Sequence, residues 1–162
     1  MFFHAIIMVV INMKEEMYSL LYQQIKALCD EEKNLIANLS NISALLNETL
    51  EDINWVGFYL ENQNELILGP FQGKVACVHI PNGKGVCGTC MQTKQIQRVA
   101  DVHTFPTHIA CDGASNSEIV LPLISNGCFY GVLDIDSPKF DRFDEADEAG
   151  LKKVCALIST YF

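Results

Sequence analysis

Apolar residues recur at helical spacing through the first fifty residues of the chain, which predicts two amphipathic helices. The first helix covers residues 14–28. The second begins after Asp30, whose side chain can cap it, and ends near Asp52. The two apolar stripes are Met17, Leu20, Leu21, Ile25 and Leu28, and Leu35, Leu39, Ile42, Leu46 and Leu50. Two helices therefore precede any strand.

Beyond Asp52 the helical period gives way to alternating, β-branched and aromatic residues, which are typical of strands. We predict strands at residues 54–60, 65–68, 74–80 and 96–99, a break at Gly69-Pro70 and a short helix at 86–94. Residues 100–117 have no clean period. Because a loop of that length inside a compact domain is usually functional, we expect functional residues in it.

Residues 118–124 and 128–136 form a predicted hairpin around Ser125-Asn126-Gly127. A two-residue Asn126-Gly127 turn would pair Ser125 with Cys128 and mix polar and apolar side chains on both faces. A three-residue loop would pair Ile124 with Cys128, and we predict it because its register keeps carboxylates out of the core. Its apolar face carries Ile119, Leu121, Leu123, Phe129, Leu133 and Ile135, with Gly131 among them, and its polar face places Glu118 opposite Asp134, with Asp136 two residues on.

A terminal helix follows, capped by Asp144 with Asp147 at its third position. Its apolar stripe consists of Leu151, Val154, Cys155 and Ile158. Helices at both ends and an antiparallel sheet between them predict an α+β sandwich with the helices grouped on one face. The length of 162 residues predicts one domain.

The first twelve residues stand apart, because residues 2–11 are almost wholly apolar. They are too few to span a bilayer and lack the basic region and cleavage site of a signal peptide. We interpret residues 1–12 as an upstream extension of a native chain that starts at Met13, so that residues 13–162 form the domain. An interfacial anchor is the alternative.

Charge and cysteine content exclude several classes of protein. The net charge of −9 and the absence of a basic cluster exclude a nucleic-acid partner, and no membrane partner is expected. Seven cysteines are an odd number and too few for a disulfide scaffold, so we expect a reducing, cytoplasmic location. Cys29 and Cys155 lie in helical patterns and are predicted to be core residues.

Three other cysteines, Cys77, Cys87 and Cys111, occupy well-separated, loop-like positions where thiols can exchange a disulfide. A zinc site is disfavoured, since Cys87 and Cys90 form a single Cys-x-x-Cys pair without a second pair, and we predict no metal. The histidines of the long loop, His103 and His108, are expected to form hydrogen bonds rather than to act as bases.

Carboxylates and aromatic residues supply a second set of candidates. The crowded acids Glu118, Asp134 and Asp136 can hold an ammonium group, and crowding raises the pKa of one member so that it can donate a proton. A solvated sheet face is the alternative. Trp55 and Tyr59 lie four apart on one strand face and are predicted to be pocket walls, with core packing as the alternative.

Six segments carry a resemblance to a known family: residues 54–59, 69–77, 85–89, 108–112, 115–120 and 131–137. From about Met13 to the end, the chain resembles the free methionine-(R)-sulfoxide reductases, a stand-alone GAF-domain family. The spacings of ten residues from Cys77 to Cys87 and twenty-four from Cys87 to Cys111 make the resemblance specific. Cys90 departs from the family pattern, which has a small non-thiol residue there. We interpret it as helix packing, with a fourth redox thiol as the alternative.

The resemblance implies an α+β, GAF-like fold and reduction of free methionine-(R)-sulfoxide without a cofactor, using electrons from thioredoxin. It implies that Cys111 attacks the sulfoxide sulfur, leaving a sulfenic acid, and that Cys77 resolves it into a disulfide. Within the family either Cys87 or Cys111 is taken as the attacking thiol, so both remain candidate nucleophiles here.

The substrate-binding residues and the assembly are also implied by the resemblance. Glu118, Asp134 and Asp136 look like the substrate grip and the proton source, and Trp55 and Tyr59 look like walls around the sulfoxide. A homodimer is implied as well. A non-catalytic GAF-type small-molecule sensor is the main alternative function, and a zinc-stabilised interaction domain is a third reading.

Overall fold

A computed structural model describes the backbone of residues 2–107 and 113–162, and within these ranges the side chains from residue 13 onward. In chain order the helices are α1 (Phe2–Cys29), α2 (Leu35–Thr49), α3 (Gly85–Thr93) and α4 (Glu145–Ile158). The strands are β1 (Trp55–Asn62), β2 (Glu65–Gly73), β3 (His79–Pro81), β4 (Gln97–Val99), β5 (Ser117–Ser125) and β6 (Cys128–Ser137). Short 3₁₀ turns cover Val102–Thr104 and Ser159–Tyr161.

The strands form one antiparallel sheet in the order β3-β2-β1-β6-β5-β4. One face of the sheet packs against α1, α2 and α4, and this layer holds the larger apolar core. The other face is covered by α3 and forms a smaller core. The predicted α+β fold with terminal helices on one face is therefore confirmed, with α3 added on the opposite side.

Two helix starts differ from their predictions. The helix α1 begins at Phe2 rather than near Lys14, because no glycine or proline interrupts the backbone hydrogen bonding between them. Asn34, not Asp30, caps α2, since its side-chain oxygen accepts a hydrogen bond from the Ala37 amide at 3.0 Å. Asp30 instead pairs with Lys26 at 2.6 Å.

The strand β2 continues through Gly69-Pro70, where the sequence predicted a break. Gly57 pairs with Phe71 and Tyr59 with Leu68, so the two intervening residues of β2 lie opposite the single residue Phe58. This bulge accommodates a proline that has no amide to donate. The predicted strand at 74–80 is reduced to β3, which leaves Cys77 in the connection before it.

The hairpin of β5 and β6 has the two-residue turn that the sequence argument rejected. Ser125 pairs with Cys128, and Asn126 and Gly127 both have positive φ angles, 52° and 77°. This is the turn type that matches the twist of the strands. A register shift then leaves Tyr130 as an extra residue between the pairs Ile124–Phe129 and Leu123–Gly131.

This bulge at Tyr130 restores the alternation that the three-residue loop was meant to provide. Glu118 lies opposite Asp136, not opposite Asp134 as predicted. Phe129 moves to the face of the smaller core, while the other predicted apolar residues stay in the larger one: Ile119, Leu121, Leu123, Leu133 and Ile135. The carboxylates still share the opposite face, so the prediction of the faces holds except at Phe129, and the prediction of the turn is wrong.

The N-terminus of α4 is fixed as predicted by a reciprocal capping box between Asp144 and Asp147. Asp147 is fully buried and also accepts hydrogen bonds from Lys14 at 2.7 Å, Tyr18 at 2.8 Å and Arg142 at 3.0 Å. Two cations on one buried carboxylate link α1, α4 and the preceding loop.

Replacing Asp147 with alanine should lower the free energy of unfolding by about 3 kcal/mol, because it removes the buried partner of Tyr18, Arg142 and Lys14, of which Lys14 keeps its pair with Asp144. Denaturant unfolding of the purified variant measures this. The matched control is Asp30→Ala, which removes an exposed pair and should cost about 0.5 kcal/mol or less. Equal losses in the two variants would contradict this account of Asp147.

Candidate active site

A pocket opens on the sheet face covered by α3, at the end of the sheet where β1, β5 and β6 present polar side chains. Trp55 comes from β1, Glu118 from β5, Asp134 from β6 and Cys87 from α3. The full lining is Trp55, Tyr59, Val75, Ala76, Ile80, Lys84, Gly85, Val86, Cys87, Ser115, Glu118, Asp134 and Asp136. All of the predicted grip and wall residues therefore meet in one pocket.

The acids are held in the interior of the protein. Glu118 is 7% exposed and Asp134 is 6% exposed. The Cys87 thiol donates to Oε1 of Glu118 at 3.9 Å, and ligand atoms of Cys87, Glu118 and Asp134 lie within 4.8 Å of one another. Oδ1 of Asp134 is buried and has no hydrogen-bond partner among the described residues. The cluster can therefore accept a cationic or proton-donating guest.

Burial governs the protonation of this cluster. Burial, followed by the charges of Asp134 and Asp136, raises the pKa of Glu118 well above its usual range. Burial raises the pKa of Asp134 to about 6. Burial, and then the charges of Asp134 and Glu118, raise the pKa of the Cys87 thiol far above its ordinary value. The cluster retains protons near neutrality, and Cys87 remains a thiol.

An aromatic wall faces the acids. Trp55 and Tyr59 stack with ring centroids 5.8 Å apart, and Phe71 stacks on the far side of Trp55 at 5.2 Å. The indole Nε1 of Trp55 donates to the Lys74 carbonyl at 3.1 Å, and the Tyr59 hydroxyl donates to the Cys77 carbonyl at 3.0 Å. The wall also holds residues 74–78 beside the pocket.

Glycine is required where this segment leaves β2. Gly73 has a φ of +135°, and a Cβ atom there would lie 2.5 Å from Cδ1 of Trp55. A side chain at this position would therefore displace the indole that lines the pocket.

Two of the three predicted redox cysteines lie in the described part of the chain, and they differ in bonding state. Cys77 is half-buried and disulfide-bonded. Cys87 is free and lies in the pocket, with its side chain buried at the start of α3. Cys111, like His108, lies outside the described residues. The other free cysteines of the described chain are Cys29, Cys90, Cys128 and Cys155.

The remaining cysteine and histidine predictions concern packing and loop structure. Cys29 and Cys155 are buried in the larger core, as predicted. Cys90 is fully buried in the smaller core, 3.8 Å from the Val120 carbonyl, and burial raises its pKa to about 12, which supports the packing interpretation. His103 shares a hydrogen bond of 2.9 Å with Asn116 outside the pocket lining, as expected of a loop residue.

Sequence reasoning missed the contribution of the first turn of α3. Gly85 and Val86 line the pocket, and the first amides of a helix have no intrahelical acceptor. The Gly85 amide donates to the Thr107 carbonyl at 2.9 Å, which ties this turn to the long loop. The glycine that opens the predicted helix is the sequence signal for this contribution.

Comparison with known proteins places this fold and pocket in a family. The family model of the GAF domain matches residues 34–162, so the chain is a GAF domain. Two curated relatives are called free methionine-R-sulfoxide reductase. The Escherichia coli protein is 56% identical over 143 residues, covering 88% of this chain and 87% of the relative. The Saccharomyces cerevisiae protein is 49% identical over 154 residues, covering 90% and 86%.

Solved structures agree with these relatives. The fRMsr of Staphylococcus aureus in complex with substrate is 56% identical, with a TM-score of 0.84, covering 89% of this chain and 94% of that one. The free methionine-R-sulfoxide reductase of Neisseria meningitidis in complex with its substrate is 42% identical, with a TM-score of 0.88, covering 92% and 90%. The chain belongs to the free methionine-R-sulfoxide reductase family.

No helix in the part of the chain that the structure describes combines the length and the apolar content that crossing a bilayer needs.

Proposed function

We propose that this chain reduces free methionine-(R)-sulfoxide to methionine and is recycled by thioredoxin. One observation carries the proposal: buried acids and an aromatic wall line one pocket, and Tyr59 of that wall donates to the carbonyl of the disulfide-bonded Cys77. The acids suit the ammonium group of a free amino acid. The Val86 and Cys87 amides at the start of α3 suit its carboxylate, since the Gly85 amide already donates to the Thr107 carbonyl. A residue inside a peptide chain lacks both charges, so this pocket favours the free amino acid.

The proposed chemistry begins with attack of the Cys111 thiolate on the sulfoxide sulfur. The sulfoxide accepts this attack more readily when its oxygen is protonated, and the Glu118 carboxyl group, whose pKa burial raises well above its usual range, is suited to supply that proton. The attack forms a bond between the two sulfurs; the hydroxyl then passes to the sulfur of Cys111 as that bond breaks, so methionine leaves and Cys111 becomes a sulfenic acid. The Cys77 thiol attacks this sulfur, water leaves, and two thiols have given two electrons to the sulfoxide.

Cys87 is assigned a supporting role, and not the nucleophilic attack on the sulfoxide sulfur. A nucleophilic cysteine reacts as its thiolate. Burial and the charges of Asp134 and Glu118 oppose that form at Cys87, whose thiol is directed at the Glu118 carboxyl group. We therefore assign the attack to Cys111. Pairing of Cys77 with Cys111 is supported by the disulfide at Cys77 and by the free state of the other described cysteines.

The dithiol of thioredoxin then opens the disulfide by two exchange steps and restores both thiols. This recycling is suited to the cytoplasm, where thioredoxin is kept reduced. Cys77 is accessible enough for such a partner, since it is half-buried and lies in a segment whose Val75 and Val78 are exposed.

Single cysteine variants test the order of the thiols. Cys111→Ser should release no methionine in a single turnover. Cys77→Ser should release one equivalent and stop, because its sulfenic acid cannot be resolved. Cys87→Ser should keep the one-equivalent release. Quenched-flow measurement of methionine, without reductant, provides the readout, and loss of the release in Cys87→Ser but not in Cys111→Ser would reverse the assignment.

Removing a carboxyl group should slow the chemistry. Asp134→Asn and Asp136→Asn should each lower kcat/KM for free methionine-(R)-sulfoxide by about 100-fold, the scale of lost acid catalysis. The measurement is NADPH consumption coupled through thioredoxin and its reductase. Asp141→Asn, an exposed acid outside the pocket lining, is the matched control and should retain the parent value. Unchanged rates in both pocket variants would reject the role of these acids.

The assembly is proposed to be a homodimer that uses the outer faces of the first two helices. Leu20 on α1 and Ile36 on α2 are more than half exposed, at 57% and 55%. Large apolar side chains at such exposure are suited to a subunit interface.

Light scattering of the purified protein should give twice the chain mass. The double variant Leu20→Glu, Ile36→Glu should give the mass of one chain, because it places charges in the proposed interface. Val75→Glu, which adds a charge on the pocket side, is the control and should leave the mass unchanged. A parent protein with the mass of a single chain would contradict the homodimer.

A further inference from the structure

Three ligand atoms of two chemical kinds converge in the pocket. Sγ of Cys87, a carboxylate oxygen of Glu118 and one of Asp134 lie within 4.8 Å of one another. They are carried by three packed elements, α3, β5 and β6, so their positions are fixed by the fold rather than by a loop. A thiolate with two carboxylates is a donor set for a borderline-soft divalent cation.

The distance between the thiol and one carboxylate oxygen is close to that in a tetrahedral zinc site. With Zn–S about 2.3 Å and Zn–O about 2.1 Å, the sulfur and an oxygen of one tetrahedron lie about 3.6 Å apart. The distance from Sγ of Cys87 to Oε1 of Glu118 is 3.9 Å. This sulfur and this oxygen are therefore near the spacing that one bound zinc ion requires.

A separate observation indicates that this place is suited to a cation. Oδ1 of Asp134 is buried in a side chain that is 6% exposed, and it has no hydrogen-bond partner among the described residues. Asp134 lines the pocket, so a guest that enters can reach the carboxyl group. A buried acceptor without a partner costs free energy, which a cation bound to it would recover.

We propose that Cys87, Glu118 and Asp134 together bind one Zn²⁺ ion, with water completing the coordination. The Cys87 thiol loses its proton to solvent as the Zn–S bond forms, and no electrons are transferred. Mg²⁺ and Ca²⁺ do not replace zinc, because both require oxygen ligands. This inference rests on the proposed function: the ion occupies the place of the substrate ammonium group, so zinc is a reversible inhibitor of the reduction.

The test uses metal-stripped protein with Cys77 kept in its disulfide, so that this thiol cannot serve as a ligand. Calorimetric titration with ZnCl₂, without substrate or reductant, should show one ion per chain. Co²⁺ in its place should give a thiolate-to-cobalt charge-transfer absorption. Cys87→Ser should abolish that absorption, and Cys87→Ser, Glu118→Gln and Asp134→Asn should each weaken zinc binding by at least about tenfold.

Two controls remove other zinc ligands of the described chain. Cys128→Ser removes the exposed thiol beside the hairpin turn, and His79→Gln removes an exposed imidazole 3.3 Å from Glu65. Both should keep the parent affinity, and circular dichroism establishes that each variant is folded. Absence of zinc binding in the parent, or undiminished binding in folded Cys87→Ser or Asp134→Asn, would overturn the proposal.

A second titration separates this inference from the proposed function. Free methionine-(R)-sulfoxide should weaken the apparent affinity for zinc, since both guests need the same carboxyl groups. Zinc binding that depends on Cys87 but is unaffected by the sulfoxide would support the metal site and would contradict its overlap with the substrate site. A failure of catalysis alone would leave the zinc titration unchanged.

Discussion

The burial of Glu118 and Asp134 on the sheet is the constraint on which the rest of the structure depends. Two carboxyl groups withdrawn from water cost several kcal/mol if both are charged, so the site retains protons and directs the Cys87 thiol at Glu118. The larger core on the opposite face, formed with α1, α2 and α4, supplies apolar burial that offsets this cost. The catalytic face can therefore be polar because the other face is not.

The pattern of apolar residues was sufficient to predict the layers of this fold. Helical stripes identified α1, α2 and α4, and the Asp144–Asp147 capping box of α4 was read correctly because it depends on neighbours in the chain. The start of α2 was not predicted correctly, since Asp30 and Asn34 are both good capping residues. Only the backbone path after α1 decides between them.

The hairpin shows why faces are easier to predict than register. The alternation of apolar and polar residues is enough to fix which side chains point to the larger core, and that prediction holds except at Phe129, although Glu118 and Asp134 are buried on the opposite face. A turn and a bulge can reach the same faces in two ways, however, and the extra Tyr130 leaves no signal in a two-residue period. The predicted cross-strand partner of Glu118 is therefore wrong, although the predicted face of the sheet is right. The part of the site on α3 was missed because backbone amides carry no residue signature.

The aromatic wall has a consequence for how this site can change over evolution. Trp55 and Tyr59 hold residues 74–78 through the carbonyl groups of Lys74 and Cys77, so they recognise the path of the backbone and not its side chains. The side chains at Val75 and Val78 are left to face solvent. Substitutions at Val75 and Val78 can therefore change the surface beside the pocket while the backbone path of residues 74–78 is kept.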